Sequence, residues 1–282
     1  MEPSTAGKYD DLKTVMTAME SVLVAFSGGV DSTLVLRAAH EALGPRAVGA
    51  TGLSQTYADE EMDDAKQLAA TIGVEHLIVS TMELTDPRYA NNSHQRCFFC
   101  KSELYSRLNQ VAQERGIRTV ADGANADDLD DFRPGMRAAR ELGVRSPLQE
   151  VGLGKSEIRT ISRELRLPTW DKPAVACLSS RFAYGDPITV EKLRQVGAAE
   201  TALRQLGFRG FRVRHHDDLA RLEIPAEQMQ RALELDARIV EVVREAGYRY
   251  VVLDLEGYRA GRMNEVLHAR LQPRGLRGAG TL

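Results

Sequence analysis

The chain has 282 residues, 43% of them hydrophobic, and carries 37 Lys and Arg against 40 Asp and Glu for a net charge of −3. That is roughly two ordinary domains in length, and the charge balance supplies no overall positive field to attract a polyanion, so a small-molecule substrate is favoured over nucleic acid. No apolar run reaches the roughly 18 residues of a membrane span, and Met1 to Asp11 lacks the basic start and apolar centre of a signal peptide, so a cytoplasmic protein without a membrane partner is expected.

From Val22 to Leu167 short apolar runs alternate with amphipathic stretches, the pattern of strand and crossover-helix units in a parallel sheet. The expected strands are Val22–Phe26, Ala47–Leu53, His76–Ser80, Thr119–Asp122 and a weaker one near Ser146–Glu150. The expected helices are Ser32–Leu43, Asp59–Ile72, Phe99–Glu114, Pro134–Leu142 and Glu157–Leu165; Gly44, Gly73 and Gly116 follow three of them, where a left-handed residue closes the last turn. Residues 1–170 are thus expected to form an α/β domain with helices on both faces of the sheet. Residues 171–188, punctuated by Pro173 and Gly185, read as a junction loop carrying Cys177. Residues 189–282 read as a smaller α+β domain: helix Thr189–Leu206, strand Phe211–His215, a tight turn at Asp217-Asp218, strand Ala220–Ile224, helix Ala226–Ala246 and strand Tyr250–Leu255. The tail beyond Gln272 is expected to fray.

The first strand runs through Ser27-Gly28-Gly29-Val30-Asp31-Ser32 directly into a helix. Adjacent glycines let the backbone approach an anion and aim N–H groups at it, and the helix start adds unpaired donors and a partial positive charge. The hydroxyls of Ser27 and Ser32 can donate to the same phosphate oxygens, and Asp31 can hold a Mg²⁺ that bridges them. The plain alternative is a strand-to-helix turn in which the glycines only relieve crowding. The complete six-residue string favours phosphate; it is neither a Walker loop nor a dinucleotide fingerprint.

Ser27 to Ser32 resembles the pyrophosphate loop of the N-type ATP pyrophosphatases, which include GMP synthetase, NAD synthetase, asparagine synthetase and tRNA thiolation enzymes. The resemblance implies a Rossmann-like, adenine nucleotide alpha hydrolase-like sheet that binds ATP and activates a substrate oxygen by attaching AMP. Asp122-Gly123-Ala124-Asn125-Ala126-Asp127-Asp128 is similar to the Gly-x-Asn-x-x-Asp stretch that meets ATP in several of those families. Gly123, Asn125 and Asp128 therefore join Ser27, Gly28, Gly29, Asp31 and Ser32 as expected ATP contacts. Read by itself, that second stretch is also a polar turn.

Three cysteines, an odd number, fit poorly with a secreted disulfide framework. Cys97 and Cys100 form a C-x-x-C pair at a helix start, on one helical face, and Cys177 lies in the junction loop. Three thiolates suit an iron-sulfur cluster with one open iron, able to hold hydrosulfide. A zinc site completed by His94 and a Cys97/Cys100 redox pair remain alternatives.

The order of motifs from Val22 to Asn264 resembles the LarE family of ATP-dependent sulfur transferases nearly end to end. The matching strings are Ala25 to Leu36, Asp131-Phe132-Arg133-Pro134-Gly135, Cys177-Leu178-Ser179-Ser180-Arg181-Phe182-Ala183-Tyr184-Gly185, Arg212 to Asp217, and Gly257-Tyr258-Arg259-Ala260-Gly261-Arg262-Met263-Asn264. Such enzymes convert the carboxylates of pyridinium-3,5-biscarboxylic acid mononucleotide to thiocarboxylates for the nickel-pincer nucleotide cofactor of lactate racemase. In single-cysteine members the cysteine at the position of Cys177 gives up its own sulfur. The added Cys97 and Cys100 resemble the three-cysteine branch, which implies a 4Fe-4S cluster on Cys97, Cys100 and Cys177 that carries sulfide from an external donor. The family also implies a homo-hexamer.

Arg212 and Arg214 alternate along a strand and share a face, where paired guanidinium groups suit a phosphate dianion; ordinary cross-strand pairing of Arg221 and Glu223 is the alternative for that face. The resemblance implies that Arg212, Arg214, Ser180 and Arg181 hold the substrate's phosphate, with Glu200 and Glu223 in the same region and Arg259 and Arg262 as further candidates. Two other functions compete. A tRNA thiolation enzyme shares the ATP loop, but neither a pair of zinc-ribbon motifs nor a basic excess is present. A non-catalytic nucleotide or iron-sulfur sensor would bind without releasing pyrophosphate.

Overall fold

The computed structural model describes residues 3–54, 59–130, 134–173 and 176–259. Asp131, Phe132, Arg133, the string from Ala260 to Asn264 with Arg262, and the tail beyond Gln272 lie outside the described residues. The chain divides into two compact units, the first comprising Met1–Ser179 and Tyr184–Leu193, the second Ser180–Ala183 and Arg194–Leu282.

In the first unit, helix α1 (Pro3–Ala18) leads to β1 (Val22–Ala25), α2 (Val30–Leu43), β2 (Ala47–Leu53), α3 (Asp59–Ile72) and β3 (Glu75–Ser80). The short α4 (Pro87–Ala90), the long α5 (Arg96–Glu114), β4 (Thr119–Ala121), α6 (Pro134–Glu141), α7 (Pro147–Glu150) and α8 (Lys155–Glu164) follow. The four strands pair in parallel in the order β3-β2-β1-β4, which places β1 at the centre of the sheet. Successive residues of a strand point to opposite faces, so Val22, Val24 and Phe26 enter one core while Leu23 enters the other. The first core is completed by α1, α2, α3 and α8 through Leu12, Met16, Leu34, Ala65, Leu68 and Ile158; the second by α5 and α6 through Tyr105, Leu108 and Ala138. This is the expected Rossmann-like sheet with helices on both faces.

Helix α1 was not anticipated, although Tyr9, Leu12, Met16 and Met19 recur at helical spacing and all four are buried. The expected strand near Ser146–Glu150 is instead helical, with Pro147 at the first position of α7. Proline suits a helix start and lacks the N–H that a strand ladder needs. All that remains of sheet pairing there is the bridge of Ala121 with Arg145.

The second unit carries most of α9 (Val190–Gln205), then β5 (Arg212–His216), β6 (Leu219–Glu223), α10 (Met229–Glu234), α11 (Asp236–Glu245) and β7 (Tyr250–Leu253). Its three strands lie in the order β5-β6-β7, the first pair antiparallel and the second parallel. The single helix expected over Ala226–Ala246 is broken at Leu235. Asp236, in the first turn of α11, accepts the Ala237 N–H and places a carboxylate where the helix dipole favours one. Among the described residues no helix is long and apolar enough to cross a membrane.

Candidate active site

The loop after β1 folds onto itself. Ser32 Oγ accepts the Ser27 N–H at 3.2 Å and lies 3.1 Å from Ser27 Oγ, while Thr33 Oγ1 donates to the Gly29 carbonyl at 2.7 Å. Gly28 sits at φ +67°, a conformation glycine adopts without strain. No side chain caps the start of α2 at Gly29, so the end of the helix that attracts anions is left to the loop.

The second expected segment packs directly on that loop. A Cβ on Gly123 would come within 2.8 Å of Ser32 N and 3.2 Å of the Asp31 carbonyl carbon, so only glycine permits this approach. Asn125 and Asp128, both buried, serve their own turn: Asp128 Oδ2 accepts the Asn125 N–H and Asn125 Oδ1 accepts the Asp127 N–H, each at 3.0 Å. Asp127 in turn accepts the Lys155 N–H at 2.8 Å and so holds the start of α8.

Lys155 was missed by the sequence reading. Its Nζ lies 2.5 Å from Asp31 Oδ2. The other carboxylate oxygen, Asp31 Oδ1, is buried without a hydrogen-bond partner among the described residues. An orphaned carboxylate oxygen beside a phosphate-type loop fits a divalent cation, and Asp31 would hold Mg²⁺ there. The available signal was Lys155 itself: a lysine at the first position of a helix opposes the helix dipole, and its presence there points to a nearby anion.

The cysteines lie in the same unit. Helix α5 begins at Arg96, three residues earlier than expected, which puts both Cys97 and Cys100 near its N-terminal end. The loop bearing Cys177 is tied down by Ser179 Oγ, 2.6 Å from Tyr89 Oη, and by the Gly185 and Ile188 N–H groups, which donate to the Asn92 and Ala90 carbonyls. All three residues are thiols rather than disulfides. Burial raises the Cys100 thiol above its ordinary range, and the charges of Glu83, Cys177 and Cys97 add to the rise. Cys97 is exposed as a residue; desolvation of its sulfur by the surrounding chain and then Cys177 raise it as well, while Arg96 and Lys101 pull it down. The three sulfurs are therefore within electrostatic reach of one another.

Among the described residues no group of three or more His, Cys, Asp or Glu side chains is arranged to hold a metal ion, and this includes His94 with the cysteines. A cubane distributes its thiolate ligands over separate corners and accepts a wider spacing than one ion does. Three thiols within electrostatic reach of one another, with the Glu83 carboxylate acting on Cys100 as well, suit that cluster in donor type.

Lys101 links the two regions. Its Nζ lies 5.2 Å from the centre of the Tyr105 ring, Tyr105 Oη donates to Asp122 Oδ2 at 2.8 Å, and Asp122 directly precedes Gly123. Tyr105 chiefly, with Asp122 and Cys100, holds the Lys101 ammonium above its usual pKa against the effect of burial.

In the second unit Arg212 and Arg214 lie on one face of β5, opposite Glu223 and Arg221 of β6 respectively. Arg181 makes a two-point bond to Glu200 at 2.7 and 2.9 Å, and both are buried. Arg181 also donates to Ser180 Oγ, and Arg214 donates to the Ser180 carbonyl, each at 2.7 Å. Arg214 bonds Glu223 at 2.8 and 2.6 Å, and Arg221 bonds the same carboxylate at 3.2 Å. Arg259 forms an ion pair with Glu256 at 3.6 Å.

The NAD synthase family matches residues 10–119, the part of the chain that carries the phosphate loop. Over nearly its whole length the chain is similar to the pyridinium-3,5-bisthiocarboxylic acid mononucleotide synthase of Lactiplantibacillus plantarum, with 41% identity across 93% of this chain and 95% of that protein. It is 48% identical to the uncharacterized protein slr1717 of Synechocystis across 92% of this chain and 98% of that one. A tRNA-5-methyluridine(54) 2-sulfurtransferase of Thermus thermophilus shares 37% identity over 39% of this chain and 36% of its own.

Proposed function

Because the chain belongs to the LarE family of ATP-dependent sulfurtransferases, we propose that it converts a carboxylate of pyridinium-3,5-biscarboxylic acid mononucleotide to a thiocarboxylate in nickel-pincer nucleotide synthesis. A carboxylate resists attack until one oxygen becomes part of a good leaving group. The substrate oxygen attacks the α-phosphorus of ATP, pyrophosphate leaves, and a hydrosulfide then displaces AMP from the acyl carbon with loss of one proton. Ser27, Gly28, Gly29 and Ser32 bind the phosphates, Asp31 holds Mg²⁺, and Gly123, Asn125 and Asp128 form the facing wall. Preorganised donors aimed at the phosphate charge suit this step.

Cys97, Cys100 and Cys177 would hold a 4Fe-4S cluster, which when bound would supply an open iron able to carry hydrosulfide. The observation supporting this is the electrostatic influence of Cys177 on both Cys97 and Cys100, within the unit that contains the phosphate loop. Arg212, Arg214 and Ser180 bind the substrate phosphate in the second unit, and Arg181, bonded to Glu200, donates to Ser180 Oγ. Sulfide serves as the sulfur source, and the active form is a homo-hexamer.

Anaerobic incubation with ATP, Mg²⁺, sulfide and the pyridinium substrate, followed by mass analysis of product and protein, tests the reading. The expected result is thiocarboxylate with AMP and pyrophosphate over many turnovers, and no change in protein mass. Conversion of Cys177 to dehydroalanine in step with product would overturn catalytic sulfur transfer and leave the cysteine as the donor. Native mass measurement tests the hexamer.

A further inference from the structure

Of the four arginines on and beside β5 and β6, three are held by carboxylates. Arg181 is bonded to Glu200, Arg214 to Glu223, and Arg221 to both Glu223 and Asp254. Arg212 differs. Among the described residues it forms no ion pair; one terminal nitrogen donates to the Phe211 carbonyl at 2.7 Å and the other to Tyr258 Oη at 3.4 Å. Its guanidinium carbon stands 4.8 Å from the centre of the Tyr258 ring. Burial and then Arg181 lower its pKa, the mark of a cation short of compensating charge.

The position of Tyr258 is tightly specified. Gly257 adopts φ +66°, and a Cβ there would come within 2.6 Å of the Ile224 carbonyl oxygen. The chain therefore passes close against the end of β6, and the Tyr258 N–H donates to that same carbonyl at 3.2 Å. An aromatic face attracts a guanidinium without occupying its N–H donors as a carboxylate does, and Tyr258 draws on only one of them, through the long bond to its Oη.

We propose that Tyr258 is a positioning residue that holds the Arg212 guanidinium in place against its ring, leaving Arg212 available to bond the phosphate monoester of the substrate. This rests on the reading that the second unit binds a mononucleotide phosphate. Glu200 and Glu223, by contrast, keep Arg181 and Arg214 in place by bonding them directly.

Calorimetric titration with inorganic phosphate and with nicotinate mononucleotide tests the proposal on the wild type and on Y258F, Y258L, R212A and R212A/Y258L. Because the ring is the operative group, Y258F should bind within about twofold of wild type, whereas Y258L should lose about tenfold. ATP binding should be unchanged in both. R212A/Y258L should bind no more weakly than R212A, since Tyr258 acts through Arg212. Unaltered mononucleotide and phosphate binding in Y258L, or losses that multiply in the double variant, would overturn the proposal. Phosphate binding that depends on Tyr258, in a protein that does not turn over the pyridinium substrate, would uphold it and overturn only the substrate assignment.

Discussion

Lys155 reaches across 124 positions of sequence to place its ammonium 2.5 Å from Asp31 Oδ2, inside the loop that resembles a pyrophosphate site. The pair brings the start of α8 to the start of α2. It also puts a protein cation where Mg²⁺ and phosphate charge are expected, so nucleotide binding must redistribute the contacts of Asp31. Lys155→Met removes both a competitor for the carboxylate and a cation for the phosphates. The KM for ATP should rise about tenfold or more, the scale of one lost charge-assisted bond, while the Mg²⁺ concentration needed for half-maximal ATP binding should fall. A KM and a Mg²⁺ requirement both equal to wild type would show that the pair serves only to join the helices.

Gly123 packs one expected nucleotide segment closely on the other, because its missing side chain faces backbone atoms of Ser32 and Asp31 that cannot swing aside. Gly123→Ala should displace the loop, weaken ATP binding by at least about tenfold and cost roughly 1–3 kcal/mol of stability, as overpacking does. Thermal unfolding and nucleotide titration measure the two effects. Gly116→Ala provides the contrast, since a Cβ there meets nothing within 4 Å and its strain comes only from φ +68°.

What could be read from sequence was what is contiguous. Ser27 to Ser32 is a single run whose chemistry depends on its own backbone, and Cys97 with Cys100 follows from helical spacing. Lys155 and Asp31 were not legible as a pair, because nothing local records which distant carboxylate faces a lysine. The same applies to Arg181 and Glu200: the arginine was expected at phosphate, and its buried two-point bond became visible only when α9 could be placed beside it. At Pro147 the local rule was legible but outweighed by a short apolar pattern. The break at Leu235 escaped notice because the flanking sequence retains helical spacing.

The raised pKa of Cys100 has a consequence for the metal-free protein. Burial favours the neutral Cys100 thiol, so the unfolded chain loses that proton before the folded one does. The associated stability is fully present below the ordinary thiol value of about 8.5 and declines as pH rises above it. The melting temperature should fall from about pH 8.5 upward, and the fall should be shallower in C97S/C100S. Metal binding requires thiolates, so cluster assembly should release protons and strengthen over the same range. Calorimetry across pH, with proton release followed in weak buffer, checks both. A melting temperature that rises through this window would contradict the burial argument.

Arg212 and Arg214 share a strand face but should fail differently when removed. Glu223 is fully buried and takes bonds of 2.8 and 2.6 Å from Arg214, so Arg214→Ala removes a two-point partner from a buried carboxylate. Breaking such a pair from one side costs about 3 kcal/mol or more, because the remaining charge stays desolvated. Arg212→Ala strands no carboxylate and relieves the repulsion from Arg181 that helps lower the Arg212 pKa. It should therefore leave thermal stability near wild type while raising the substrate KM and sparing that for ATP. Arg214→Ala should unfold at lower temperature, and Arg214→Lys should recover part of the loss by restoring the charge without the two-point geometry. Equal destabilisation by the two alanine variants would show that Arg212, too, is a structural residue, and the assignment of its guanidinium to a phosphate would then fail.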